Sequence, residues 1–75
     1  MLHRQELLDL LRTCGYRYAK TYQITYEDGH IVVLFTLPAG ARRAAYTAFV
    51  QDSAQGRPHL EVVPGFAIDR REQGR

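Results

Sequence analysis

The sequence predicts an α+β fold, a two-layer sandwich with α-β-β-α-β order, and three observations predict it. A leucine stripe runs up to Gly15, alternating segments flank Asp28-Gly29, and an alanine-rich stretch begins at Ala41. Together they describe a three-stranded sheet, its first two strands an antiparallel hairpin, with two helices on one face.

The first helix is read over Leu2–Cys14. Leu7, Leu10, Leu11 and Cys14 follow the i, i+3, i+4, i+7 pattern of one helical face. Gly15 stands where a C-terminal cap belongs, and Arg12 falls in the last turn, where the helix dipole favours a cation. On this reading Cys14 continues the apolar stripe as a small hydrophobe.

Tyr18–Glu27 alternates with period two. It sets Tyr18, Tyr22, Ile24 and Tyr26 on one face, interrupted by Lys20, with Ala19, Thr21, Gln23 and Thr25 on the other. Asp28-Gly29 is a preferred two-residue hairpin turn, and His30–Leu37 is the partner strand. Ala41–Ala54 then reads as a second helix with Ala41, Ala44, Ala45, Ala48 and Phe49 on one side, small enough to approach a sheet closely. Gln55-Gly56-Arg57-Pro58 breaks it. His59–Val63 is a short third strand, Pro64-Gly65 a turn and Phe66-Ala67-Ile68 a last extended piece. One domain over 1–68 and a charged tail over 69–75 complete the division. The element order is broadly similar to that of type II KH-like and BolA-like domains. The likeness is one of order alone: a KH loop has GxxG, whereas Arg43 stands three residues after Gly40, so no residue roles are carried over.

The second strand is apolar on both sides, with Ile31, Val33, Phe35 and Leu37 on one and Val32, Leu34 and Thr36 on the other. That describes either a central strand flanked by long polar side chains or a face buried by another molecule. A chain of 75 residues has little core to spare, about 3–5 kcal/mol of net stability. The expectation is therefore a non-catalytic interaction module, homodimeric or docked on a protein partner. Val32 and Leu34 form its surface, and Tyr46 and Val50 its rim.

The alternative is RNA or DNA binding. The net charge is only +2, but nine of the ten basic residues are Arg, the side chain suited to bidentate phosphate contacts. Arg42 and Arg43 beside Gly40, Arg17 and Lys20, and Arg70, Arg71 and Arg75 of the tail are the candidates. The five tyrosines offer stacking platforms, although Tyr22 and Tyr26, sharing a face with Ile24, read as core lining.

Neither a phosphate-loop spacing nor an RNP1 pattern is present. His3, His30, His59 and Cys14 show no metal-ligand spacing, and no constellation of nucleophile and base supports an enzyme. No cofactor or metal is expected. A single cysteine forms no internal disulfide, the start MLHRQELLDLLR does not read as a secretory signal, and Ile31–Ala39 is too short to span a bilayer. A cytoplasmic location is the expectation. Asn and Trp are absent and Cys and Met occur once each, in keeping with a thermophilic source.

Overall fold

The computed structural model describes residues 2–51, 56 and 58–67. One helix, α1 (Arg4–Thr13), precedes four strands: β1 (Lys20–Glu27), β2 (His30–Ala39), β3 (Arg42–Gln51) and β4 (His59–Pro64). The strands form a single antiparallel meander in the order β1-β2-β3-β4. None of the described helices is long and apolar enough to cross a membrane.

The expected second helix is strand β3, so the α-β-β-α-β order and the three-stranded sheet are overturned. The likeness of order to KH-like and BolA-like domains falls with them. Alanine has the highest intrinsic helix propensity, and that preference dominates a reading of the isolated window. Context overrides it. Gly40-Ala41 closes a two-residue hairpin that pairs Ala39 with Arg42, and the ladder continues to Ile31 opposite Val50. A strand apolar on both faces is satisfied as a central strand, and β2 gains a neighbour on each side. The residues after Ala45 also suit a strand: Tyr46, Thr47, Phe49 and Val50 are aromatic or β-branched. The third expected strand is β4, at the edge beside β3. The last part of the expected helix (52–54), Ile68 and the tail (69–75) lie outside the described residues.

Helix α1 forms as its sequence dictates. The Glu6 carboxylate accepts the His3 backbone N–H at 2.8 Å, closing the first turn. At the other end the Gly15 N–H donates to the Arg12 carbonyl and the Tyr16 N–H to the Leu11 carbonyl, the paired bonds of a Schellman cap. Gly15 takes φ 110°, which a side chain would resist. Cys14 belongs to this cap and not to the apolar stripe, and it is exposed.

The helix covers one face of the sheet. Leu7 and Leu11 bury against Ile31, Val33 and Phe35 of β2 and Ala48 and Val50 of β3, with Ala19 closing the core. Ala48 is fully buried; its small side chain leaves room for the leucines above. Phe35 anchors the aromatic end of this layer, stacked on Tyr46 at 5.7 Å and met edge-on by Tyr16 at 5.6 Å. Two polar contacts tie α1 and the residues before it to the edge strand: Arg4 Nη1 donates to Thr21 Oγ1, and the Tyr26 hydroxyl donates to the Leu2 carbonyl, both at 2.8 Å.

The opposite face, the one expected to need a partner, is closed in part by the chain itself. After β4 the chain turns at Gly65 (φ 84°). The Gly65 N–H donates to the Ala45 carbonyl, the Thr47 hydroxyl donates to the Gly65 carbonyl at 2.7 Å, and the Ala67 N–H donates to that hydroxyl at 2.8 Å. Phe66, between these anchors, stacks on Tyr22 of β1. Leu34 lies between Thr47 and the Tyr22 edge in the sheet, and beneath this strap it is only 2% exposed.

Two outcomes follow. Gly15→Ala meets no neighbouring atom, so its cost is the backbone strain alone, about 1–2 kcal/mol. Thermal unfolding should record a fall of about 4–8 °C per kcal/mol, and an unchanged midpoint would contradict the cap. Thr47→Val keeps the shape and removes the two strap bonds made by the hydroxyl, leaving the Gly65 bond to Ala45. It should cost about 1–3 kcal/mol and speed exchange of the Ala67 amide, whereas undiminished protection there would show that the strap is held by something else.

Candidate functional site

The strap divides the face opposite the helix into two ends of different charge. At one end β1 begins and the β2–β3 hairpin turns. Lys20 pairs with Thr36 and Pro38 with Arg43, so the antiparallel register sets Arg43 on the same face as Lys20 near the start of β1. Arg42, paired with Ala39, falls at the same end but on the helix side of the sheet. Arg43 completes the approach. Its Nε donates to Thr36 Oγ1 at 2.8 Å, and its Nη2 donates to the Thr36 carbonyl at 3.2 Å and to the Tyr18 carbonyl at 3.0 Å. These bonds hold the guanidinium across the gap between β2 and the turn before β1.

Arg17, Lys20, Arg42 and Arg43 are all exposed, and among the described residues none of them is paired with a carboxylate. The acidic residues of the strands stand at the other end: Glu27 and Asp28 at the first hairpin, Glu61 on β4. From Lys20 to Glu27 the strand rises about 23 Å, well beyond the screening length of about 8–10 Å at physiological salt. The sheet's carboxylates therefore do little to neutralise this basic end. Arg70, Arg71 and Arg75 lie outside the described residues.

Tyrosines accompany the cations. Tyr18 is 71% exposed and Tyr22 is 64% exposed, two residues before and two after Lys20. Tyr22 does not share a face with Ile24 and Tyr26, as strict alternation would have it. The ladder shifts between Thr21 and Gln23, and this β-bulge turns Tyr22 away from the helix. There its ring lies on Phe66 at 5.1 Å and 18°.

The residues expected to form an apolar interface are not brought together. Leu34 is buried under the strap, and Val50 is 1% exposed in the helix-side core. Tyr46 is half-buried on that same side, against Phe35, and Val32 is half-buried on the other.

The opposite end of the sheet carries a shallow, open depression lined by His30, Phe49, Gln51, His59 and Glu61. His30 and His59 lie two strands apart, about 9–10 Å, and His30 Nε2 stands 3.5 Å from the Glu27 carboxylate. Among the described residues no three His, Cys, Asp or Glu side chains gather to hold a metal ion. Cys14 and His3 flank opposite ends of a ten-residue helix, about 15 Å long, so they form no nucleophile–base pair.

Sequence reasoning named the four cations but placed two of them on a helix start, and it missed Phe66 and Thr47 as parts of the site's support. The signal for the convergence was present in Gly40-Ala41, a hairpin loop that would fold Arg42-Arg43 back beside β2. Comparison with family models, with curated proteins and with solved structures finds no match to this chain.

Proposed function

We propose that this chain is a small, non-catalytic nucleic-acid-binding module that grips a phosphate backbone with Arg17, Lys20 and Arg43, with Arg42 at the hairpin edge beside them. The observation that carries the reading is that exposed Lys20 and Arg43, from two distant segments, share one face at one end of the sheet beside exposed Arg17, with Arg42 at the adjacent hairpin edge and Glu27 about 23 Å away along β1. Arg43 adds to it. Its Nε and one Nη are already committed to carbonyl and hydroxyl acceptors, so the guanidinium is oriented before a ligand arrives. An oriented guanidinium loses little freedom on binding, and its remaining N–H groups are free for phosphate oxygens.

The homodimer reading has less to stand on, because Leu34 and Val50 are already buried within one chain. A net charge of +2 over the sequence does not weigh against phosphate binding here, since the relevant quantity is the local charge at one end of the sheet.

Binding should be strongly salt-dependent. Three to four phosphate contacts predict a slope of log K against log salt of about −2 to −3. Titrating the full chain against a fluorescent oligonucleotide over a range of sodium chloride, followed by anisotropy, measures it. Lys20→Glu with Arg17→Glu, both exposed, should reduce affinity at least about tenfold and flatten the slope by about half or more. Binding that ignores salt, or no binding even at low salt, would sink the reading. A salt-indifferent dimer by light scattering would direct attention back to an apolar contact.

A further inference from the structure

We infer that the nucleic acid held at this end is single-stranded, its bases stacking on Tyr18 and Tyr22; the inference rests on the phosphate-binding reading above. The fold accounts for the other three tyrosines. Tyr16 and Tyr46 pack on Phe35, and the Tyr26 hydroxyl donates to the Leu2 carbonyl. It does not account for the outward-facing surfaces of Tyr18 and Tyr22, the two most exposed large hydrophobic side chains among the described residues.

Tyr22 has the properties of a platform. One face of its ring rests on Phe66 at 5.1 Å, nearly parallel, yet 64% of the residue remains in solvent, so the other face is the open one. The bulge fixes the direction of the Tyr22 backbone, and the strap bonds of Thr47 fix Phe66 from behind. A base landing on this ring would extend an existing stack at little cost in side-chain ordering.

Position makes the occupant a strand and not a lone nucleotide. Tyr18 and Tyr22 flank Lys20 in the chain, and Arg43 hydrogen-bonds the Tyr18 carbonyl, so both tyrosines belong to the basic end of the sheet. Alternating cations and open rings match the backbone and bases of an extended strand. Inside a duplex the π-faces of the bases are taken by their stacked neighbours, and a side chain reaches only base edges and phosphates. The open face of Tyr22 and the solvent-exposed Tyr18 suit unpaired bases.

The test compares a short fluorescent single strand of mixed sequence with the duplex of the same length, using the full chain at one low salt concentration. The single strand should bind more tightly. Tyr22→Leu keeps an apolar contact for Phe66 while removing the ring, and Tyr18→Leu changes a side chain in an exposed turn that the fold does not use. Each should weaken single-strand binding by about fivefold or more, with the salt slope unchanged. Tyr18→Leu keeps the test decisive if Tyr22→Leu loosens the strap and lowers the melting temperature. Equal affinity for duplex, or Leu variants that bind as the parent does, would overturn the stacking inference and leave the phosphate grip standing. Absence of salt-dependent binding to either probe would overturn both.

Discussion

Everything in this fold answers to one strand. β2 is apolar on both sides along most of its length, and a sheet face of that kind must be covered twice. The chain has a single described helix to offer. That helix takes the side of Ile31, Val33 and Phe35, where Leu7 and Leu11 each contribute about 1.5–3 kcal/mol by burial. The side of Leu34 is left to a three-residue strap, which makes no regular structure and has to be held by specific bonds. The hydroxyl of Thr47 supplies them, donating to one peptide and accepting from another inside a fully buried site. A valine there would fill the same space yet orphan two backbone groups, which is why a polar residue sits among apolar neighbours.

Features governed by local chemistry were legible in the sequence. The leucine stripe, the Gly15 cap and the Asp28-Gly29 hairpin each depend on neighbours within five residues, and all three are present. Features governed by distant partners were not. Arg42–Gln51 carries enough alanine to read as helix, and only its pairing with β2 and β4 makes it a strand. The bulge at Tyr22 is a second case. One extra residue reverses the face of everything before it, and no residue type in Thr21-Tyr22-Gln23 announces it. Cys14 is a third: helical periodicity extended the stripe one residue past the point where the cap ends the helix.

The candidate site inherits these difficulties. Arg17, Lys20, Arg42 and Arg43 stood out singly by residue type, but the approach of Arg43 to Lys20 on one face is a property of the β1–β2 and β2–β3 registers. Tyr22 becomes a surface ring only because of the bulge, and its backing, Phe66, is held in the strap by the Thr47 hydroxyl and by the Gly65 bond to Ala45. The element that closes the second face of the core is thus also the element that builds the platform beside the cations. Stability and the proposed binding surface share a part, so change in the strap acts on both.

The distribution of charge is the remaining argument that the basic end is functional. Like charges set at one end of the sheet repel: at about 8 Å in water a pair costs about 0.5 kcal/mol. A domain with so small a core gains by spreading them or by setting carboxylates among them, and Glu27, Asp28 and Glu61 were available for that purpose. They stand instead at the far end of the same sheet. The result is a molecule of modest net charge with a strong separation of charge along its strands. Such a field turns the basic end toward a polyanion during approach, at no cost in overall solubility. Arrangement, more than the total of +2, is what a phosphate chain would meet.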